Sequence, residues 1–241
     1  MKIQEATWEK RNLGKKVFEI ELELDDSNAP LSQLINDLSA DYFVVKIPTE
    51  FSKFIEPIQS LGFKFIEVLT HARYDSELPN LNSLEEKFQS NISVSQISDS
   101  NLAVLKAEIA KGLFTTDRIS LDSNFSRKLS ANRYLGMIED ECSKGAVNYE
   151  ISYKENLVGF FVLRKLNDVS ALSSIAGILP KYQNKGLGVL MNYFQILNSY
   201  KLGASEVLST FSSNNIAATN IHWKFDYKLE KQEYIFVKHS D

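Results

Sequence analysis

Cysteine is almost missing from this chain, since Cys142 is the single one among 241 residues. One cysteine cannot form an intrachain disulfide, which excludes a disulfide-stabilised secreted scaffold and favours a cytoplasmic location. The three histidines stand at scattered positions. Together with one cysteine they give no spacing of metal ligands, so we expect no metal site.

The sequence also lacks an excess of positive charge and any long hydrophobic run. Its formal net charge of −4 and its pI near 5.6 give no general attraction to phosphate backbones or anionic lipid. No segment approaches about 18 consecutive apolar residues, and the charged stretch 1–12 does not resemble a signal peptide. We therefore expect neither nucleic acid nor a membrane as a partner. The hydrophobic content of 44% is ordinary for a globular protein with one large domain or two small ones.

Hydrophobic periodicity predicts alternating strands and helices, interrupted by the polar stretch 76–91. We interpret that stretch as a linker with one helical turn at most, which predicts a smaller α/β domain at 1–88 and a second domain at 89–241. In the first domain the predicted strands are 17–24, 41–48 and 64–75, and the predicted helices are 31–38 and 54–63. In the second, strands are predicted at 91–97, 146–154, 156–165, 168–179, 205–211 and 232–239, and helices at 98–114, 126–145, 189–203 and 214–225.

Two short segments repeat weakly between the halves. Leu61-Gly62-Phe63 and Phe225-Asp226-Tyr227 each follow the last helix of a half and precede a strand. This raises the alternative that the first domain is a degenerate half of the same fold.

The stretch KYQNKGLGVLM at 181–191 lies between a predicted strand and a predicted helix. Such a turn leaves main-chain N–H groups free at the positive end of the helix dipole, where phosphate binds. Gly186 and Gly188 let the main chain approach an anion, and Gln183, Asn184 and Lys185 add donors and one positive charge. The alternative is that both glycines only make a tight connection. A dinucleotide fingerprint and a nucleotide-triphosphate loop both fail, because the glycine spacings that they require are absent.

Gln183-Asn184-Lys185-Gly186-Leu187-Gly188 resembles the signature of the GCN5-related N-acetyltransferases (GNATs), [Q/R]-x-x-G-x-[G/A]. The resemblance covers roughly 90–241 and implies the GNAT fold, a mixed α/β fold with a mostly antiparallel central sheet. It implies acyl-CoA or acetyl-CoA as co-substrate, without a metal. It also implies that the turn 183–188 wraps the coenzyme A pyrophosphate and that the strand around Ile178 pairs with the pantetheine arm.

A narrower resemblance concerns Asp117 to Phe125 and Ala131 to Tyr134. These segments are similar to TDP-fucosamine acetyltransferases and related nucleotide-sugar N-acyltransferases, which also carry an extra amino-terminal domain. The resemblance implies a nucleotide-linked amino-deoxysugar, with dTDP as the expected nucleotide, as acceptor. The first domain would then shape the acceptor site or support a homodimer.

Acyl transfer from a thioester to an amine needs a base for the amine and a proton donor for the leaving thiolate. The family often uses a tyrosine of the last helix as donor, and His222 stands at that position here. Histidine can carry a proton near neutral pH, but it could equally be a packed helix residue. Glu150 is the candidate base, with a surface carboxylate as the alternative. Asn215 is expected to bind coenzyme A, to cap the last helix, or both.

Three further side chains are candidates for the acceptor site. Arg118 and Arg133 could each bind a sugar-nucleotide diphosphate through two hydrogen bonds, or lie as solvated charges on helices. Tyr134 could stack on a base or belong to the core. Two other functions stay open: acetyl transfer to a peptide or small amine, and a non-catalytic acyl-CoA-binding module.

Overall fold

The computed structural model describes residues 1–26 and 28–240. The strands are β1 (Lys2–Glu5), β2 (Val17–Glu21), β3 (Tyr42–Pro48), β4 (Lys64–Tyr74), β5 (Ile92–Gln96), β6 (Val147–Tyr153), β7 (Asn156–Lys165), β8 (Ser170–Ile178), β9 (Glu206–Ser212) and β10 (Lys228–His239). The helices are α1 (Thr7–Leu13), α2 (Asn28–Asp37), α3 (Ile55–Ser60), α4 (Ser83–Gln89), α5 (Asp99–Ala110), α6 (Arg118–Leu121), α7 (Arg127–Ser143), α8 (Leu187–Lys201) and α9 (Ile216–Lys224).

The described strands form one sheet in the order β1-β2-β3-β10-β4-β9-β8-β7-β6-β5. Neighbouring strands are antiparallel except β2 with β3 and β8 with β9, which are parallel. The last strand, β10, is inserted between β3 and β4 and pairs with both. Strands from both sides of the predicted boundary at 88 therefore share a single sheet, and the division into two domains stays a proposal.

The pairing pattern is the same on both sides of the central β10–β4 pair. Going outward from β10 or from β4, an antiparallel step is followed by a parallel step and then by an antiparallel step. Gly62 and Asp226 occupy matching turns before β4 and β10, and both have positive φ, at 85° and 54°. Glycine adopts this conformation freely and aspartate tolerates it better than most residues.

Helices cover the sheet on both faces. One face, named the α7 face, packs against α1, α5, α6 and α7 through clusters that include Ile119, Ile235 and Ile175. The other, named the α8 face, packs against α2, α3, α8 and α9 through clusters that include Phe43, Ile196 and Leu187. This two-sided cover explains why β3 and β7 are almost continuously apolar.

The predicted linker contains more structure than expected. Residues 83–89 form α4, and Asn82 accepts hydrogen bonds from the N–H groups of Leu84 and Glu85 while Glu85 accepts one from Asn82. This capping box stabilises a two-turn helix that hydrophobic periodicity does not reveal. The elements β1, α1 and α6 were also missed, because they are too short to show a period.

Candidate functional site

The glycine turn joins β8 to α8. After a single 3₁₀ turn at Pro180–Tyr182, Asn184 and Gly186 both adopt positive φ, at 60° and 77°, and α8 begins at Leu187. The amide of Gln183 donates to the carbonyl of Ile178 at 3.0 Å, and Lys185 Nζ donates to the carbonyl of Lys181 at 2.8 Å. These side chains fix the turn from within.

The turn leaves a set of main-chain donors free. Within residues 1–26 and 28–240, the N–H groups of residues 184–188 make no hydrogen bond, and no side chain caps α8. Free N–H groups at the start of a helix bind anions. Gly188 allows close helix packing instead. A Cβ at this position would lie 3.0 Å from Ile221 Cδ1, so the lack of a side chain lets α8 pack closely on α9.

Next to the turn, β8 and β9 separate. Their parallel pairing runs from Ser170 to Ser173 of β8 and stops at Ser209 of β9. The rest of β8 still pairs with β7, with a β-bulge between Ser173 and Ile175 that leaves Ser174 without an opposite residue. The edge of β8 from 174 to 178 is thus left open toward β9, and an extended ligand can add hydrogen bonds to such an edge. We call this gap between β8 and β9 the opening.

On the α7 face, the far end of β8 is closely covered. A Cβ at Gly177 would lie 3.2 to 3.3 Å from Phe160, Leu113 and Phe114. Glycine at this position therefore allows the segment after α5 to pack directly on β8.

Asn215 caps α9, because its Oδ1 accepts the N–H of Ala218 at 3.0 Å. This is the structural alternative named for this residue. Its Nδ2 makes no hydrogen bond within the described part of the chain, and a role in coenzyme A binding stays a prediction.

His222 lies on the α8 face and is buried, with 5% of its surface exposed. Nδ1 lies 2.7 Å from the carbonyl oxygen of Ala218, which can only accept, so Nδ1 carries the proton. Nε2 then accepts from Ser209 Oγ at 3.0 Å. Burial lowers the pKa of His222 to about 4, although the bond to Ala218 raises it slightly. A neutral ring with both nitrogens bonded is not a proton donor for a thiolate, so the geometry favours the packed-residue alternative.

Glu150 has its carboxylate occupied as well. Its Oε2 accepts from the main-chain N–H of Ser98 at 3.0 Å and from Asn101 Nδ2 at 2.9 Å, which holds the start of α5 against β6. These contacts are structural, and no described contact links Glu150 to the opening. The prediction that it is the base receives no support from its surroundings.

Arg118 and Arg133 meet in a buried ion-pair network with the first 20 residues. Arg118 Nη2 bonds Glu9 Oε1 at 2.8 Å and Glu19 Oε1 at 2.9 Å, and Arg133 Nε bonds Glu9 Oε1 at 2.8 Å. Glu9 is fully buried. Burial would raise the pKa of Glu19, but Arg118 and Lys46 outweigh it and lower that pKa to about 2. Both guanidinium groups are thus neutralised inside the protein rather than presented to a diphosphate.

Tyr134 stacks on Phe114, with ring centroids 4.2 Å apart and planes 25° apart. This places it in the packing beside Gly177, which is the core alternative named for it. The network and this stack bring Arg118, Arg133 and Tyr134 to the α7 face, whereas His222 lies on the α8 face.

A polar cluster near the opening was missed by sequence reasoning. His71 on β4 lies between Thr210 on β9 and Glu233 on β10, with Nδ1 3.2 Å from Thr210 Oγ1 and Nε2 2.8 Å from Glu233 Oε2. The histidine and the glutamate are 162 positions apart, and no sequence signal connects them.

Comparisons with known proteins identify the fold. No family model and no curated protein matches the sequence. A GCN5-related N-acetyltransferase from Sphaerobacter thermophilus superposes with a TM-score of 0.55 at 10% identity, covering 82% of this chain and 59% of that one. A GCN5-related N-acetyltransferase from Kribbella flavida gives 0.57 at 10% identity, covering 94% and 82%. A tandem GNAT protein from the clavulanic acid biosynthesis pathway gives 0.55 at 11% identity, covering 88% and 69%.

The chain therefore has the fold of the GCN5-related N-acetyltransferases, a mixed α/β fold with a mostly antiparallel sheet, as the turn signature implied. It spans 59% of the length of the Sphaerobacter protein. Among the described helices, none has both the length and the apolar character needed to span a membrane. No group of three or more potential metal ligands occurs within the described residues.

Proposed function

We propose that this protein is an acyl-CoA-dependent N-acyltransferase. The observation that carries the proposal is the junction of β8, β9 and α8, where an open strand edge adjoins a helix start with free main-chain donors. A strand edge suits the amide groups of a pantetheine arm, and the donors at 184–188 suit its pyrophosphate. Both features lie at neighbouring positions in a fold shared with GNAT proteins.

The binding step is tested by placing a charge at the helix start. Gly186→Asp adds a carboxylate at the N-cap with a residue type that tolerates positive φ, whereas Gly186→Asn adds nearly the same shape without the charge. Two like charges about 4 Å apart repel by about 4 kcal/mol at an effective dielectric constant of 20. We expect the Asp variant to bind acetyl-CoA at least tenfold more weakly than the Asn variant in isothermal titration calorimetry. Equal affinities would show that the turn does not hold the pyrophosphate.

For the acceptor we propose the amine of a nucleotide-linked amino-deoxysugar, with dTDP as the nucleotide. Support comes from the sequence resemblance at 117–125 and 131–134 rather than from free charges, because Arg118 and Arg133 are bonded to Glu9. That same observation favours a second candidate, transfer to a peptide or small amine. A cytoplasmic location and a homodimer belong to the first proposal as expectations.

Turnover distinguishes the candidates. Release of coenzyme A is followed with dTDP-linked fucosamine and with spermidine, each with acetyl-CoA. Turnover of the sugar alone supports the first acceptor, and turnover of spermidine alone supports the second. Tight acetyl-CoA binding without turnover of any amine or of water would favour a non-catalytic binding module, a reading consistent with the neutral, buried His222.

A further inference from the structure

Three neighbouring strands place a hydroxyl, an imidazole and a carboxylate in one line. Thr210 Oγ1 lies 3.2 Å from His71 Nδ1, and His71 Nε2 lies 2.8 Å from Glu233 Oε2. The other carboxylate oxygen, Oε1, accepts from Lys231 Nζ at 2.9 Å. The side chain of Glu233 is 3% exposed and that of His71 is 27% exposed. A buried carboxylate thus holds an imidazole whose other edge reaches the surface.

The charge of Glu233 fixes which ring nitrogen carries the proton. Burial would raise the pKa of Glu233, but the hydrogen bonds from His71 and Lys231 outweigh burial and lower that pKa to about 2. An ionised carboxylate only accepts hydrogen bonds, so Nε2 of a neutral His71 carries the proton. Nδ1 is then unprotonated, and its lone pair accepts a hydrogen bond from the hydroxyl of Thr210. An imidazole with one nitrogen bound to a carboxylate and the other facing a hydroxyl is arranged to accept a proton.

The cluster lies at the beginning of the opening. Ser209 is the last residue of β9 that pairs with β8, and Thr210 follows it directly and pairs with His71. Leu69 and Glu233 are opposite each other on β4 and β10, and Leu69 packs with Ile119 and Ile235. His71 is two residues from Leu69, so its side chain shares the α7 face. It therefore approaches the opening from the side opposite α8 and the glycine turn.

We propose that His71 is the general base that deprotonates the acceptor amine, with Glu233 as its positioning residue. This inference rests on the proposed acyl-CoA-dependent function. The acceptor amine replaces the Thr210 hydroxyl as the hydrogen-bond partner of His71 Nδ1. The amine gives a proton to Nδ1 as the amine nitrogen bonds to the thioester carbon. The C–S bond then breaks, and the proton returns from the imidazolium to the leaving thiolate. The products are the N-acyl amine and coenzyme A, so atoms and electrons balance without another reactant.

A second histidine supplies a matched control. His239 Nε2 lies 2.8 Å from Asp122 Oδ2, and the side chain of His239 is 26% exposed, close to the value for His71. Its neighbour across the sheet is Tyr42 on β3, and two strands, β10 and β4, lie between β3 and β9. His71→Ala and His239→Ala thus remove equally exposed histidines from equally close carboxylates, one beside the opening and one away from it.

The test compares kcat and KM of these variants with acetyl-CoA and with dTDP-linked fucosamine or spermidine. General base catalysis contributes about 10²- to 10⁴-fold, so we expect His71→Ala to lose kcat by that factor while its calorimetric affinity for acetyl-CoA stays within threefold of wild type. Added imidazole should restore part of this loss. His239→Ala should retain kcat within threefold. Equal kcat in wild type and His71→Ala, or an equal loss in both variants, would overturn the assignment.

Two additional measurements keep the inference separate from folding and from the identity of the acceptor. Glu233→Gln should lower kcat at least tenfold without changing KM, and Glu233→Asp should recover part of the loss, whereas a purely structural carboxylate would affect stability alone. Where neither amine is accepted, hydrolysis of acetyl-CoA with water as acceptor gives the same comparison. Normal wild-type turnover with an unaffected His71→Ala overturns only the base assignment. Absence of acetyl-CoA binding by wild type overturns the proposed function and the base assignment with it.

Discussion

The two faces of the sheet differ in the kind of polar group that they bury beside the opening. On the α8 face the buried side-chain contacts in the described chain join neutral partners, as in His222 with Ser209 and Gln195 with Ser173. On the α7 face several of these contacts include a charged group, as in Arg118 with Glu9 and the neutral His71 with the ionised Glu233. A neutral surface on one side suits a thioester, and a charged surface on the other suits proton transfer and a polar acceptor. The difference also predicts how each face responds when its charge is changed.

The largest expected effect comes from removing a buried cation that two carboxylates share on the α7 face. Arg118→Met removes the bonds at 2.8 and 2.9 Å to Glu9 and Glu19, and both carboxylates are almost inaccessible. Breaking a buried pair by removing one partner costs about 3–5 kcal/mol of unfolding free energy. Urea denaturation followed by circular dichroism measures this cost.

The matched control is Arg11→Met, because Arg11 pairs with Asp140 at 2.8 Å but its side chain is 52% exposed. Pairs of that kind contribute about 1 kcal/mol or less. If Arg118→Met costs no more than Arg11→Met, the network is not a closed structural unit and a binding role for Arg118 regains weight. Conversely, a normal affinity for dTDP in a folded Arg118→Met variant would remove Arg118 from the acceptor site.

The second prediction introduces a charge on the α8 face by lowering the pH. Burial lowers the pKa of His222 from 6.5 to about 4, so the unfolded chain takes up this proton more readily than the folded one. The stabilisation by neutral His222 is complete above pH 6.5 and is lost as the pH falls through 4. The difference corresponds to roughly 3 kcal/mol of unfolding free energy.

The measurement is the loss of unfolding free energy between pH 7 and pH 4 in wild type and in His222→Asn. Other groups titrate in both proteins, so their contributions cancel in the difference. We expect wild type to lose more. An equal loss would mean that the ring is charged or accessible in the folded state, which would restore His222 as a candidate proton donor.

Structural features formed by consecutive residues could be predicted from the sequence. Features that depend on contacts between distant segments could not. The turn at 183–188 was predictable because all of its features lie within six consecutive residues. Gly186 can adopt positive φ, and the neighbouring residues carry hydrogen-bond donors. The strands of the second half were predictable from their apolar runs. The position of β10 between β3 and β4 was not, because pairing partners depend on contacts far apart in the chain.

The same limit applies to the site. The helix pattern makes His222 a candidate, but the hydrogen bond that occupies its Nε2 comes from Ser209 on β9. The sequence gives His71 no role, because the partners that orient it come from two other strands. Arg118 and Arg133 were selected as free charges because their partners, Glu9 and Glu19, lie about 100 positions earlier. Sequence pattern thus identifies ionisable residues, while the sheet decides which of them are paired.

The smallest expected effect concerns the buried carboxyl group of Glu67 on β4. It faces the α7 side opposite Ile235, and its Oε2 has no hydrogen-bond partner within the described residues. Burial raises the pKa of Glu67, and Ser212 and Arg118 offset only part of this. The folded protein thus holds this proton more tightly than the unfolded chain does, and stability is lost as the pH rises through the raised pKa.

Glu67→Gln keeps the shape without an ionisable proton, so its unfolding free energy relative to wild type should increase from pH 5 to pH 8. Thermal unfolding at both pH values gives the difference, with Glu56→Gln on the exposed side of α3 as control. A relative stability that falls with pH would show that Glu67 is ionised and paired, making the α7 face a fully compensated set of ions.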